Sequence, residues 1–531
     1  MIIPLEWMPP LMFAGLVVFM IIGYPVAFSL AAVGFFFGFL SIDFGYFTMA
    51  FMQAIPGRVF GNILSNELLL AIPFFTFMGA ILEKCGLAED MLESMGQLFG
   101  PVRGGLGYST IIVGFILGAI TGTVAAQVIA MAMITLPVML RYKYDMRYAT
   151  GVLAASGTIT QLVPPSLVLI VLADQLGRSV GDMYLGAWGP SLLQIFMFAA
   201  YTFYVSLVKP TALPPVPRTL FGGPLLIKCA WGIIPAAILI FLVLGTIMMG
   251  LATPTEAGAM GTIGSIVLAV VRNAPLTRFD KWTFGAGVAA AGVGFLISMV
   301  GHFKSMPFKV AFTVMFASII WLCWRAWAVK ELRDLIVQAF QATMRITAMV
   351  AFILVGATCF SITFQGVDGN QWVEHLMSNL PGGVWGFLIV VNLFVFFLAF
   401  FLDFFEIAFI IVPMLAPVAQ KILAPVVGAD AALIWFGVML CVNVQTSFMH
   451  PPFGFALFYL RSVAPKEVKS SDIYWGSVPW VLLQLVMVVV VIAFPVSVTF
   501  FLDKPSDIDA SKIKIELQAP PSEDAAPPVF K

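Results

Sequence analysis

Two apolar stretches of the 531-residue chain each contain two consecutive prolines. They read GTITQLVPP, which ends at Pro164-Pro165, and VQTSFMHPP, which ends at Pro451-Pro452. Proline lacks a backbone N–H and its ring clashes with the carbonyl four residues earlier, so the first pair releases the carbonyls of Thr160 and Gln161 from helical hydrogen bonds. Unpaired carbonyls are costly in hydrocarbon and are tolerated only inside protein or around a water-filled site. The pattern predicts two broken helices that present acceptor oxygens.

Acceptor oxygens of this kind suit a hard monovalent cation, and we expect sodium. The second pair likewise releases the carbonyls of Ser447 and Phe448, while the hydroxyls of Thr121, Thr123 and Ser166 could join the first set. A single Pro-Pro pair would favour the alternative of a kink packed against neighbouring helices. Because the pair occurs twice, each time behind a polar hairpin, the sequence favours an ion or substrate site.

Asp403 and Glu406 lie in LAFFLDFFEIAF, a strongly apolar context for two carboxylates. Carboxylates within a membrane are costly and usually face a pathway or a partner. Three interpretations remain open: a cation ligand, a group that binds a proton, and a structural partner for a buried arginine or amide. Glu406 has a further alternative, because a carboxylate at this position can cap the helix that follows it.

Two other polar positions have mainly structural interpretations. Thr253-Pro254-Thr255-Glu256 fits a capping box with Thr253 as the N-cap and Glu256 reaching back to it. Of the three histidines, His450 alone directly precedes a Pro-Pro pair. It is either a packing and hydrogen-bonding residue or a ligand of the site.

The elements that position these residues recur in the same order. Segments 104–140 and 382–420 are apolar but interrupted, by Thr121-Gly122-Thr123 and by the Asp403 to Glu406 stretch, so each predicts a helical hairpin that enters the membrane and turns back. Each is followed by an interrupted segment, which begins at Gly151 in one case and at Gly437 in the other. Internal duplication explains the repeated order.

The basic residues predict that the two copies have opposite orientations. Arg141, Lys143 and Arg147 lie in a short loop after the first hairpin, whereas the equivalent loop of the second half, expected at residues 420–430, has Lys421 as its single basic residue. Lysine and arginine favour the cytoplasmic side of a membrane. Paired interrupted segments in inverted halves are typical of secondary transporters with a site near the middle of the bilayer.

The composition independently predicts an all-α polytopic membrane protein. Hydrophobic residues make up 61% of the chain and charged residues 10%, far more apolar than a soluble domain. The 27 basic and 27 acidic side chains leave no basic field for nucleic acid, and the five dispersed cysteines suggest neither a disulfide framework nor a zinc site. The first ten residues contain no lysine or arginine, so we expect no cleaved signal peptide.

Apolar stretches divide the chain into six predicted parts. These are N-terminal scaffold helices (1–103), a first transport repeat (104–184), further scaffold helices (185–381), a second transport repeat (382–464), a C-terminal helix (465–502) and a disordered tail (503–531). The candidate spans are 11–22, 26–40, 185–208, 227–245, 256–271, 284–300, 308–327 and 474–501. The first two are either separate helices or one long helix kinked at Gly23-Tyr24-Pro25.

Several motifs resemble a known transporter family. GAITGTVAAQVIAMAMITLPVM, ASGTITQLVPPSLVLIVLA, LATPTEAGAMG, FFLDFFEIAFIIVPMLAPVA and VQTSFMHPPFGFALFYL look like the large, DctM-like permease subunit of tripartite ATP-independent periplasmic (TRAP) transporters. The resemblance implies an inverted-repeat, elevator-type importer of the bacterial inner membrane that is driven by sodium. It also implies two protein partners, a small four-helix membrane subunit and a periplasmic binding protein that delivers a small organic acid.

The resemblance also implies a set of site residues. The first sodium site would use Thr121 and Thr123 at the hairpin tip with Thr160 and Val163 before the first Pro-Pro. The second would draw on Asp403 and on the stretch from Asn443 to His450, where we take Ser447 and His450 as candidate ligands. Candidate substrate contacts between the tips and the broken helices are Gln161, Ser166, Asn443 and Thr446.

This sequence departs from the family pattern in three places. Thr-Gly-Thr replaces the usual Ser-Gly-Ser at the first tip, which keeps the hydroxyls, and His450 replaces a threonine before the second Pro-Pro. Two additional spans, near 284–327, are expected as extra scaffold helices. Two alternative functions remain. One is a stand-alone sodium- or proton-coupled carboxylate symporter. The other is an intramembrane enzyme, which the sequence disfavours because it contains no HExxH or GxSxG motif.

Overall fold

The computed structural model describes residues 3–299, 305–378, 380–400, 402–450 and 454–502. Every regular element within these ranges is helical, which confirms the predicted all-α class. Both Pro451-Pro452 and the expected disordered tail, 503–531, lie outside the described residues.

The described helices fall into an N-terminal set, two repeats and an intervening set. The α-helices in chain order are α1 (Met8–Ile22), α2 (Val26–Asp43), α3 (Met49–Met52), α4 (Ile55–Val59), α5 (Ala71–Lys84), α6 (Leu87–Phe99), α7 (Gly105–Thr121), α8 (Val124–Arg141), α9 (Met146–Thr158), α10 (Leu167–Gln175), α11 (Val180–Val208), α12 (Gly223–Ile240), α13 (Thr246–Met248), α14 (Pro254–Asn273), α15 (Arg278–Met299), α16 (Met306–Ala328), α17 (Lys330–Gly366), α18 (Gly369–Ser378), α19 (Gly383–Leu398), α20 (Phe404–Glu406), α21 (Val412–Val427), α22 (Ala429–Val444), α23 (Phe455–Val463), α24 (Ser470–Ala493) and α25 (Val496–Thr499). Short 3-10 helices occur at Leu5–Trp7, Glu67–Leu70, Ile159–Gln161 and Gln445–Phe448, and π-helices at Phe60–Leu64, Phe241–Gly245 and Ile407–Ile411.

The outer surface of the protein is apolar and must face lipid. Within the described ranges, 11 helices are long and apolar enough to cross a membrane, or 12 if the bent pair Met49–Leu64 and Glu67–Lys84 forms one span. Their outer faces expose large apolar side chains, for example Phe196 and Trp231. An exposed apolar surface of this extent is stable in hydrocarbon and not in water.

The N-terminal segment is a helical hairpin and not one kinked helix. Gly23 adopts a left-handed conformation, with φ of 94°, at the end of α1. The chain then reverses, so that Gly15 of α1 lies beside Val33 and Phe37 of α2. In a single kinked helix these residues would be far apart along the axis. The first two candidate spans are therefore separate antiparallel helices.

The two additional helices, α15 and α16, form a hairpin of their own, and of the two, as far as they are described, α16 alone is long and apolar enough to count as a membrane span. The hairpin is held at one end by Asp280, whose carboxylate accepts hydrogen bonds from Trp321 Nε1 at 3.0 Å and Arg325 Nε at 3.2 Å. The Asp280 side chain is 1% exposed although it carries a charge, so the pairing offsets its burial. The pair packs on α14 and α17 at the periphery of the molecule.

Other boundaries differ from the sequence-based division. The 37-residue helix α17, which packs along α2 and α5, is missing from the predicted spans. The boundary expected after residue 184 lies inside α11. The C-terminal span ends at Ala493, before Pro495, which is the N-cap of the short α25. The stretch expected as a loop at 420–430 is helical up to Val427, because the turn to α22 needs Gly428 alone.

Two repeats of matching architecture contain the two breaks. In each, a left-handed glycine, Gly104 or Gly382, precedes the first hairpin helix. The hairpins α7–α8 and α19–α21 are followed by broken helices, α9–α10 and α22–α23, whose halves are separated by a 3-10 turn and the Pro-Pro region. Both second halves, α10 and α23, have nine residues. The predicted internal duplication is therefore present in the backbone.

Candidate functional site

The tip of the first hairpin is a tight turn between α7 and α8. Gly122 has φ of 63°, a left-handed conformation that suits a residue without a Cβ, and Thr123 begins α8 in an extended conformation. The Thr121 carbonyl lies where a side chain at Gly79 would stand, so α5 contacts the tip closely. Thr121 is buried, and the half-buried Thr123 makes no side-chain capping bond.

A buried amide, Gln127, joins the tip to the first broken helix. Its Oε1 accepts hydrogen bonds from the hydroxyls of Thr160 and, at 3.3 Å, Thr121. Its Nε2 donates to the carbonyls of Gly114 at 2.6 Å and Ser156 at 3.0 Å. The structure thus brings together Thr121 and Thr160, two of the predicted sodium ligands, through a residue that the sequence analysis missed. The available signal was an amide side chain within the apolar run VAAQVIAMAMI.

The first break presents carbonyl oxygens as predicted, but not all of them are unpaired. The carbonyl oxygens of Thr160 and Val163 accept no hydrogen bond from any of the described residues. The Gln161 carbonyl, by contrast, accepts from the Ser166 hydroxyl and from the Cys441 thiol of α22, the latter at 3.2 Å. Ser166 also caps α10 by accepting from Val168 N–H at 3.1 Å. Its hydroxyl is therefore already engaged in holding the break.

At the tip of the second hairpin, Asp403 and Glu406 form a reciprocal capping box. The Glu406 N–H donates to Asp403 Oδ1 at 3.0 Å, and the Asp403 N–H donates to Glu406 Oε2 at 3.0 Å. The interpretation of Glu406 as a cap is confirmed, as is the capping box of Thr253 and Glu256. Asp403 occupies the position that Thr123 has in the first repeat, the residue before the second hairpin helix.

An amide pair connects the second hairpin to the second broken helix. Asn443 Nδ2 of α22 donates to the Asn392 carbonyl at 2.8 Å and to Asn392 Oδ1 at 3.0 Å. The Thr446 hydroxyl donates to the Asn443 carbonyl, just as Thr160 donates to the carbonyl of Gly157. Asn392 was not among the predicted residues, and its signal was again a lone amide in an apolar helix.

His450 lies inside a small aromatic cluster. Its ring stacks on Phe400 with centroids 4.0 Å apart and meets the edge of Phe396 at 5.2 Å. It is 5% exposed, and neither ring nitrogen has a hydrogen-bond partner within the described residues. The stacking agrees with a packing role, while the unpartnered nitrogens leave a ligand role open.

Buried acceptor oxygens without partners mark both breaks. Among the described residues they include Gln161 Oε1 and Asn443 Oδ1, on side chains that are 3% and 1% exposed. Ser447, in the 3-10 turn of the second break, is also buried. An unsatisfied buried oxygen in a native protein requires an explanation, and a bound cation, substrate or water provides one. Oxygen atoms of this kind are the ligands that hard cations prefer.

Comparison with known sequences decides the family. The profile described as "Tripartite ATP-independent periplasmic transporter, DctM component" matches residues 13–497. The chain belongs to this family. The resemblance drawn from the motifs is therefore confirmed, and the permease is a multi-pass protein of the inner membrane. TRAP large permeases in general act with a small membrane subunit and a periplasmic binding protein.

Curated relatives match the permease over nearly its whole length. The C4-dicarboxylate TRAP transporter large permease DctM of Vibrio cholerae is 25% identical, over 91% of this chain and 95% of that protein. The ectoine/5-hydroxyectoine large permease UehC of Ruegeria pomeroyi is 25% identical, over 92% and 98%. The sialic acid large permease SiaM of Vibrio cholerae is 23% identical, over 89% and 93%.

Among solved structures, the YdaH transporter of Alcanivorax borkumensis matches the permease over most of both chains. It is 14% identical, covers 83% of this chain and 87% of its own, and superposes with a TM-score of 0.48.

Proposed function

We propose that the permease couples inward movement of sodium to uptake of a small organic acid, which a periplasmic binding protein delivers. The observation that carries the proposal is the pair of breaks, each with buried acceptor oxygens and each placed behind a hairpin tip. The two breaks lie close to each other, since Cys441 of the second repeat donates to the Gln161 carbonyl of the first. Such paired discontinuous helices are where transporters hold coupling ions and substrate.

The first sodium site would comprise the hydroxyls of Thr121 and Thr123 and the carbonyls of Thr160 and Val163. Those two carbonyls have no other partner within the described part of the chain, which supports this assignment. Gln127 would then be a positioning residue, because its Oε1 already engages the hydroxyls of Thr121 and Thr160. We assign the second site to Asp403 and Ser447, and treat His450, whose ring stacks on Phe400, as a candidate ligand to be tested by substitution.

Gln161, Asn443, Thr446 and Ser166 remain the proposed substrate contacts, and they have unequal support. Gln161 and Asn443 each present a buried oxygen without a partner. The hydroxyls of Thr446 and Ser166 already donate to backbone carbonyls, so any direct contact with substrate would use them as acceptors. Relatives are named for C4-dicarboxylates, for sialic acid and for 2,3-diketo-L-gulonate, which supports an acid as cargo.

We propose an elevator mechanism in which both hairpins are re-entrant. The two repeats pack against each other through α7, α11, α22 and α24, which supports their movement as one body. The long α17, packed along α2 and α5, would belong to the stationary scaffold. A transport body that moves through a scaffold exposes one buried site alternately to the two sides of the membrane.

Reconstitution in liposomes tests the proposal. The permease would be incorporated with its small subunit, and uptake of labelled organic acids would be measured with the binding protein outside. We expect uptake that needs both an inward sodium gradient and the binding protein. Equal uptake without a sodium gradient would contradict the coupling, and equal uptake without the binding protein would favour the alternative of a stand-alone symporter.

A further inference from the structure

Two glutamines are buried in the long helices that follow the two repeats. Gln194 lies on α11 and is 1% exposed, and Gln484 lies on α24 and is 0% exposed. Each stands 14 residues after the first residue of its helix, Val180 or Ser470. A buried amide is costly unless it is hydrogen-bonded, so both side chains need partners.

The two helices are themselves a matched pair. Residues 182–194 read DMYLGAWGPSLLQ and residues 472–484 read DIYWGSVPWVLLQ, with the same aspartate, tyrosine, glycine, Leu-Leu and glutamine in register. The internal duplication therefore extends past the broken helices to include α11 and α24. Gln194 and Gln484 are equivalent positions of the two copies.

Each glutamine binds the broken helix of the opposite repeat. Gln194, which follows the first repeat, donates from Nε2 to Gln445 Oε1 of the second at 2.8 Å and accepts from Gln445 Nε2 at 3.4 Å. Gln484, which follows the second repeat, donates from Nε2 to Thr158 Oγ1 of the first at 2.9 Å. The pairing is crossed for these bonds, while Gln484 Nε2 also donates to Met449 Sδ of its own repeat at 3.5 Å and Gln484 Oε1 has no partner among the described residues.

The two partners occupy equivalent places at the breaks. Thr158 and Gln445 each stand six residues before the first proline of their Pro-Pro pair. Thr158 is the last residue of α9, and Gln445 is the first residue of the 3-10 turn Gln445–Phe448. Both glutamines therefore hold the point where the α-helix changes to the turn that presents the carbonyl oxygens.

Helix packing is crossed in the same way. An added Cβ at Gly151 of α9 would overlap the backbone of Gly476 on α24, so these two helices are in direct backbone contact. An added Cβ at Gly437 of α22 would overlap the side chain of Met183 on α11. Each broken helix thus contacts the helix that follows the other repeat, while α10 also packs on α11 and α22 on α24 within their own repeats.

We propose that Gln194 and Gln484 are positioning residues, each of which sets the sodium affinity of the opposite repeat and links the two binding sites energetically. This inference rests on the proposed sodium coupling. The carbonyls at a break can bind an ion only if the start of the turn is held in place, and in this apolar interior a hydrogen-bonded amide holds it firmly. A change at one repeat is then transmitted to the other through α11 or α24.

The substitutions of Gln194 and Gln484 should change the sodium affinity by different amounts. Removing the Gln194 amide leaves both polar ends of Gln445 without a partner among the described residues. Removing the Gln484 amide takes a donor from Met449 Sδ, a weak acceptor, and from the Thr158 hydroxyl, which still donates to the Ala155 carbonyl at 2.9 Å. Leaving a buried polar group unsatisfied costs more than losing one hydrogen bond. The substitution of Gln194 should therefore have the larger effect.

The experiment uses Gln194→Met and Gln484→Met, which keep the length of the side chain, in the permease reconstituted with its small subunit and binding protein. We expect the half-saturating sodium concentration for uptake to rise about tenfold for Gln194→Met and about threefold for Gln484→Met, with the maximal rate less affected. Thr202→Val is the matched control. Thr202 is buried on α11 and accepts from Tyr148 of α9, ten residues before Thr158, so its loss should lower thermal stability but leave the sodium dependence unchanged.

Combined variants test the crossing itself. Gln484→Met should be non-additive with Thr160→Val and additive with Thr446→Val, and Gln194→Met should show the reverse. The double variant Gln194→Met with Gln445→Met removes both polar partners, so that no buried polar group is left unsatisfied and the protein should stay folded. A higher half-saturating sodium concentration in this variant would therefore reflect the lost positioning of the turn and not unfolding.

Three outcomes would count against the inference. Coupling of each glutamine to its own repeat would overturn the crossed assignment. An unchanged sodium dependence in both glutamine variants, beside a sodium-dependent unmodified permease, would overturn the inference alone. Sodium-independent uptake by the unmodified permease would contradict the proposed function as well.

Discussion

The two repeats share a backbone design but differ in the groups that line it. Around the first break, Thr121, Thr160 and the connecting Gln127 are neutral. At the second, Asp403 and Glu406 form a capping box, and His450 stacks on Phe400. Duplication therefore preserved the breaks, which depend on proline and on helix geometry, while the side chains that face them diverged. We expect two sites of similar shape and different electrostatics.

The amide that joins hairpin to broken helix gives the largest expected contrast. Gln127→Met should lower the free energy of unfolding by about 3 kcal/mol, because four buried hydrogen bonds of its side chain are lost. Asn392→Leu in the second repeat should cost about 2 kcal/mol, since its side chain makes fewer bonds. Thermal unfolding of the purified variants measures both, and an Asn392 effect larger than the Gln127 effect would contradict the ranking.

The equivalent glycines of the broken helices should also respond unequally. A Cβ at Gly151 would meet the backbone carbonyl of Gly476, whereas one at Gly437 would meet the flexible end of Met183. We expect Gly151→Ala to cost about 2 kcal/mol and Gly437→Ala less than about 1 kcal/mol. The same unfolding measurement decides this, and equal losses would show that the two helix crossings are equally tight.

The tip residues should differ in their influence on sodium. Asp403→Asn removes a charge but keeps an oxygen that can cap the following helix, so we expect the half-saturating sodium concentration to rise about tenfold with little change in stability. Thr123→Ala, which removes one neutral hydroxyl, should raise it about threefold. Uptake measured against sodium concentration tests both, and unchanged sodium activation in the two variants would remove these residues from the sites.

His450 should produce the smallest effect if it only packs. His450→Phe keeps a ring that can stack on Phe400 and removes both nitrogens. We expect a change in stability of about 0.5 kcal/mol or less and unaltered sodium dependence. A clear loss of sodium activation in this variant would instead make His450 a ligand, with His450→Ala as the control for loss of stacking.

Much of the architecture could be predicted because it depends on local chemistry. Apolar runs of sufficient length, the two Pro-Pro pairs and the matching order of segments predicted a helical membrane protein with duplicated breaks. The helix caps at Thr253 and Glu406 were equally local, since a carboxylate three residues after the N-cap bonds back across one turn.

The bridging amides could not be predicted in the same way. Gln127 and Asn392 are single polar residues on helices whose rotation and neighbours are set by packing over distances of many residues. The same reason explains the error at 420–430, where helical residues up to Val427 were taken for a loop.

The sequence by itself determined the membrane environment, the duplication, the breaks and the family, because each follows from composition or from short motifs. Only the tertiary structure decided which residues meet. It joined Thr121 to Thr160 through Gln127 and paired Gln194 and Gln484 with the opposite repeats. The physical reason is that a buried polar side chain must find its partner in three dimensions, and partners distant in sequence become neighbours only when the helices have packed.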